Sequence, residues 1–100
     1  MSSHVGTNAI NGLTPGGRYL VSVYGITAYR GNEGATLTGV RVLNGSGAVL
    51  AQTPSRYINW HDGSAPQSAS LIVIAPANGY IRAVTDGGEA MYMAAVRLGH

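Results

Sequence analysis

Fifteen glycines and four prolines cut this chain into short runs rich in valine, isoleucine, threonine and tyrosine, and no run repeats its apolar residues every three or four positions. That punctuation leaves little room for helices and favours alternating strands joined by turns. Tyr19, Val21 and Val23 alternate with Leu20, Ser22 and Tyr24, so residues 18–29 read as one long strand, with Gly25 a candidate bulge. It follows the turn Leu13-Thr14-Pro15-Gly16-Gly17. Residues 35–43 form a second run, and Asn44-Gly45-Ser46-Gly47 has the composition of a tight hairpin returning through residues 48–53. Residues 56–60 make a short strand, and residues 61–66 a loop by composition. Residues 68–75 follow as a continuous apolar strand whose Leu71-Ile72-Val73-Ile74 core predicts a central position covered on both faces. Residues 79–84 and 90–98 are expected to pair around Asp86-Gly87-Gly88-Glu89, with Tyr92, Ala94, Val96 and Leu98 sharing one face.

With a weak first strand over residues 5–10, the count is about eight. Short strands with turn signals every 8–12 residues predict an all-β, eight-stranded antiparallel β-sandwich. Cysteine is absent, so there is no Cys…Trp…Cys pattern of an immunoglobulin domain, and a jelly-roll-like arrangement is preferred. One hundred residues suit one domain. Residues 1–12 are read as an N-terminal arm or weak first strand, and residues 13–100 as the sandwich.

The order of these elements resembles the bacterial pre-peptidase C-terminal domain, a small jelly-roll module at the ends of secreted proteases. The likeness rests on Leu13-Thr14-Pro15-Gly16-Gly17-Arg18-Tyr19 leading into a strand, on Thr36-Leu37 running to the hairpin Gly47-Ala48-Val49-Leu50-Ala51, and on Ala75-Pro76-Ala77-Asn78-Gly79-Tyr80. The resemblance implies a jelly roll over residues 13–98. Gln52-Thr53-Pro54-Ser55-Arg56-Tyr57 stands where that family commonly carries an acidic stretch, so a calcium role does not carry over.

Charge is the chain's compositional anomaly. Acids and bases make up 10% of residues, against about 25% in an ordinary soluble domain, and lysine is missing. A surface of serine, threonine, asparagine, glycine and alanine suits a protein covered by neighbours, and equally an extracellular β domain. The six arginines are spread one to a segment and the net charge is only +2, so nucleic-acid binding is not expected. No apolar stretch approaches a membrane span and no export signal is visible at the N-terminus.

Catalytic patterns are equally sparse. The four carboxylates, Glu33, Asp62, Asp86 and Glu89, fall in expected loops, where they read as turn formers and not as a glycosidase pair. His61 has Asp62 for a neighbour, but adjacent side chains in an extended backbone point apart, and no Gly-x-Ser-x-Gly elbow exists. His4, His61 and His100 are too scattered for zinc, and a calcium site from Asp86 and Glu89 is less economical than a hairpin loop. No cofactor and no enzymatic activity are expected. Asn44-Gly45-Ser46 matches a glycosylation acceptor but sits in the hairpin.

What remains is the group Arg56, Tyr57, Trp60 and His61, where flat rings beside polar loop groups suit a sugar platform or an interface anchor, unless Trp60 fills the core. Two functions follow as expectations. The first is a structural or decoration protein of a larger assembly, foremost a bacteriophage virion, packed against copies of itself or a shell protein. The alternative is a carbohydrate-binding or adhesion module, extracellular or at a cell surface, with glycan as partner.

Overall fold

The structure is a computed structural model that describes residues 3–29, 35–37, 39–54, 56–58, 63–85 and 88–99. Among these the strands are β1 (Ser3–Gly6), β2 (Ala9–Ile10), β3 (Arg18–Tyr29), β4 (Ala35–Leu37), β5 (Arg41–Leu43), β6 (Val49–Gln52), β7 (Arg56–Ile58), β8 (Gly63–Ile74), β9 (Ile81–Thr85), β10 (Gly88–Glu89) and β11 (Tyr92–Arg97). One sheet has the order β1-β11-β3-β8, and the other the order β10-β9-β5-β6 with β2 also on β9. All pairings are antiparallel.

This connectivity is a jelly roll. β2 takes the Ile81–Arg82 part of β9's free edge and β10 the Val84–Thr85 part. Without β10, the four strands β1, β11, β3 and β8 face the four strands β2, β9, β5 and β6. The chain passes back and forth between the sheets, so strands adjacent in a sheet come from opposite ends of the sequence, as when a long hairpin is rolled up. β4 and β7 form a separate ribbon on the connections between β3 and β5 and between β6 and β8.

Period-two alternation drives one face of each sheet inward. Tyr19, Val21 and Val23 of β3, Met93 and Ala95 of β11, and Val73 of β8 meet Val42 of β5, Ile10 of β2, and Ile81 and Ala83 of β9 in one buried cluster. Tyr19 is the largest fully buried side chain among the described residues, and its hydroxyl accepts a 2.9 Å hydrogen bond from the Thr14 amide. The turn before it closes through Gly17 N to Thr14 O, with Gly16 at φ 78°, the left-handed position that a type II turn requires after proline. The hairpin at residues 44–47 forms as read, with Gly47 N donating to Asn44 O and Gly47 at φ 92°.

Four readings are corrected. β8 is an edge strand, and Ile72 and Ile74 are 53% and 52% exposed, because their neighbours on β3 continue the apolar band outward and nothing among the described residues covers it. Gly25 is not a bulge: the β3–β8 register runs unbroken through Gly25 opposite Gln67, and the glycine makes room for Thr85, whose Cγ2 would lie 2.6 Å from an added Cβ. The register shift falls instead between Val42 and Leu43. Residues 63–66, read as loop from their composition, belong to β8 and pair with residues 26–29. Finally, β9 and β11 do not pair; each buries its own inward row in a different sheet, and β10 stays on β9 before the chain crosses the sandwich to β11. Among the described residues no helix is long and apolar enough to cross a membrane.

Candidate functional site

The outward face of the β9-β5-β6 sheet gathers polar groups that the sequence scatters. In β9, Ile81, Ala83 and Thr85 point inward and are buried, so Arg82 and Val84 point outward, in line with half-buried Tyr80 just before the strand. In β5, Val42 belongs to the core and Arg41 and Leu43 stand on the other side. The register sets Leu43 opposite Arg82, and Arg41 between Val84 and Gln52. Leu43 is only 6% exposed yet lies outside the core cluster, so it forms an apolar floor on this outer face.

Over that floor runs an open groove of about 320 Å³, lined by Arg41, Leu43, Arg82, Val84, Thr85, Gly88 and Glu89. β10 holds Glu89 against Val84, where its carboxylate accepts from Arg82 Nη1 at 3.1 and 3.3 Å and from Asn8 Nδ2 at 2.9 Å. With side chains 30% and 53% exposed, the Arg82–Glu89 pair sits in solvent and orients more than it stabilises. Arg41 differs. Its Nε is buried and has no hydrogen-bond partner among the described residues.

At the end of the sheet a second, larger cleft of about 560 Å³ opens between the β5–β6 turn and the β8–β9 turn, lined by Asn44, Gly45, Ser46, Pro76, Ala77 and Asn78. Both asparagines are held by their own turns. Asn44 Oδ1 accepts from Ser46 N, Ser46 Oγ and Ala48 N at 2.9–3.0 Å, and Asn78 Oδ1 accepts from Tyr80 N at 3.1 Å. With each carbonyl oxygen committed, the Nδ2 groups are the ends of fixed amides with no hydrogen-bond partner among the described residues, each able to donate twice. The two turns approach at Gly45, where an added Cβ would lie 3.5 Å from the Tyr80 ring and 3.6 Å from Asn78 Nδ2. Tyr80, Arg82 and Val84 thus mark one track along β9 from the large cleft to the groove.

Of the residues singled out from sequence, Arg56 and Tyr57 lie on β7, opposite Leu37 and Thr36. Trp60 and His61 lie outside the described residues, as do Glu33, Asp62 and Asp86. Glu89, once considered with Asp86 for calcium, is taken up by Arg82 and Asn8. Among the described residues no three His, Asp or Glu come together as a metal site. Sequence reasoning missed Arg41, Arg82, Asn44, Asn78 and Tyr80. The alternation of Tyr80, Arg82 and Val84 against Ile81, Ala83 and Thr85 was the available signal for part of this set.

No family model matches the chain, and no curated protein matches it. Among solved structures it is similar to the enzymatically active domain of tailspike protein 4 of bacteriophage CBA120, with 17% identity and a TM-score of 0.34 over 93% of this chain and 13% of that one. It is also similar to a chain described as "CBM4 structure and function", with 16% identity and a TM-score of 0.37 over 87% of this chain and 56% of that one. A third is the C-terminal family 22 carbohydrate-binding module of Clostridium thermocellum Xyn10B, with 14% identity and a TM-score of 0.26 over 97% of this chain and 79% of that one.

Proposed function

We propose that this domain binds carbohydrate on the outward face of the β9-β5-β6 sheet and does no chemistry on it. The supporting observation is a pair of fixed donors for which the described residues supply no acceptor, the Asn44 and Asn78 Nδ2 groups, at an open cleft beside Gly45, which also approaches the Tyr80 ring. A sugar presents hydroxyls around the edge of an apolar ring face, and preset amides next to an aromatic ring complement both parts. Hydrolysis would need a second carboxylate at roughly 5–9.5 Å from the first. Glu89, the one carboxylate among the described side chains, is instead tied to Arg82 and Asn8. An extracellular or cell-surface location goes with this reading.

Binding to a panel of immobilised oligosaccharides is the test. Tyr80→Ala is expected to weaken binding about tenfold, the equivalent of ~1.4 kcal/mol, with melting little changed and no reducing ends released by either protein. Affinity indifferent to Tyr80, or release of reducing ends, would count against it.

A second reading, a structural component of a larger assembly such as a bacteriophage virion, is favoured by the opposite face. Val5, Leu20, Tyr24, Ile72, Ile74 and Tyr92 project from the β1-β11-β3-β8 sheet, 37–67% exposed. Arg18, opposite Ile74 at the end, is the only charged side chain on that face among the described residues. Exposed apolar side chains gathered on one face, here interrupted by Ser22, Ser68 and Ser70, mark interfaces, and self-complementary packing of two such faces would give a dimer. Light scattering at high micromolar concentration is expected to show a dimer or larger species that Ile72→Lys converts to monomer; a monomeric wild type would remove this reading.

A further inference from the structure

Resting on the carbohydrate reading, we propose that the groove selects an acidic saccharide, with a sugar carboxylate received by Arg41 and Arg82. The charge balance of the groove carries the inference. It holds two guanidinium groups and one carboxylate, and that carboxylate is already shared between Arg82 Nη1 and Asn8. Arg41 has no acidic partner among the described residues, and Asp86 lies outside them.

The geometry favours a carboxylate over a neutral sugar alone. Arg41 stands opposite Val84 and Arg82 opposite Leu43, so the two arginines are diagonal neighbours on adjacent strands, roughly 7–8 Å apart at the backbone. A guanidinium presents its N–H groups as a planar fork matched to a carboxylate. Glu89 occupies one nitrogen of Arg82 and thereby fixes that side chain, while Arg82 Nη2, with no acceptor among the described residues, remains to donate. The buried Nε of Arg41 is a donor for which the folded chain supplies no described acceptor, and an anion in the groove would use the same guanidinium. Leu43 and Val84 provide an apolar floor for the ring that carries the carboxylate.

The experiment compares, by titration calorimetry on the whole chain, a trigalacturonate, its methyl ester and the neutral galactose trimer, with a glutamate hexapeptide as an anion that is not a sugar. The acid is expected to bind at least tenfold more tightly than its ester. Arg41→Gln should erase that preference through a roughly 10- to 100-fold loss for the acid, against a several-fold smaller loss shared by the ester and the neutral trimer. Arg41→Lys keeps the charge without the fork and should recover only part of the loss, and melting curves of both variants confirm that they fold. Equal binding of acid and ester, or a preference that survives Arg41→Gln, overturns the inference while leaving carbohydrate binding intact. Glutamate peptide binding as tightly as the sugar acid overturns it too, since the groove would then read charge alone. Failure of every saccharide, acidic or neutral, defeats both readings.

Discussion

Tyr19→Ala is expected to remove about 3–5 kcal/mol of folding stability, a fifth or more of what a domain of this size typically has. The ring is 1% exposed and contacts three separate parts of the roll. His4 of β1 meets it edge to face at 6.3 Å between centroids, the turn at Gly17 packs on its Cε1 side, and Arg97 of β11 stands opposite it in register. Tyr19→Phe isolates the hydroxyl: the ring stays, the Thr14 amide loses its acceptor, and the loss should be about 1 kcal/mol. Denaturant titration of both variants checks the ratio, and an alanine loss near that of phenylalanine would mean the ring is not a keystone of the core. The Thr14 amide also holds the phenol below the ordinary tyrosine range, against burial, which pushes it up. A depressed folded value favours the folded phenolate. That contribution is therefore absent at neutral pH, appears as pH rises through the folded value, and is complete only above about 10, the ordinary tyrosine value. The advantage of wild type over Tyr19→Phe should be flat near neutrality and widen in strong alkali.

Much of this fold was legible because its turns are chemical. Pro15-Gly16 and Asn44 through Gly47 require particular backbone angles, and the structure uses them as read, with Gly16 and Gly47 left-handed. Strand existence was equally plain from alternation. Partners were not, because jelly-roll neighbours are remote in sequence: β11 lies between β1 and β3, and β9 between β2 and β5. A reading from adjacent runs therefore joined β9 to β11, whereas β10 stays in the sheet of β9 and the chain changes sheet between Glu89 and Tyr92. Leu71 through Ile74 shows a related limit. An apolar outer row means burial only if something covers it, and edge strand β8 leaves Ile72 and Ile74 open beside Leu20.

The candidate site was less legible for the same reason. That Arg82 faces away from Ile81 and Ala83 can be read locally, but its place opposite Leu43, with Arg41 one step along, is a property of register between remote strands. Asn44 and Asn78 were correctly read as turn residues, and that role concealed the other. The hydrogen bonds through Oδ1 that build each turn are what leave both amide nitrogens fixed at the cleft.

The two turns lining that cleft should respond very differently to the same substitution. Gly47 has φ 92° with nothing within 4 Å of an added Cβ, so Gly47→Ala meets only the backbone penalty, about 1–2 kcal/mol for a left-handed L-residue. Gly79 has φ 70°, and its added Cβ would lie 2.5 Å from the Leu13 carbonyl oxygen. Relief by rotation of a side chain is impossible there because the obstacle is backbone. That backbone is also anchored: Leu13 N donates to Gly79 O at 3.1 Å, and the Leu13 side chain is 2% exposed in the core. Gly79→Ala must separate the β8–β9 turn from residue 13 or shift a core side chain, so its loss should reach about 3 kcal/mol or more. At roughly 4–8 °C per kcal/mol, melting should fall by about 5–15 °C for Gly47→Ala and further for Gly79→Ala. Equal shifts would show that the turn gives way without cost. Asn78 and Tyr80 flank Gly79 directly, so at a temperature where both variants are folded, Gly79→Ala should also weaken oligosaccharide binding. Gly47→Ala, which leaves the Oδ1 contacts of Asn44 in place, should bind much like wild type.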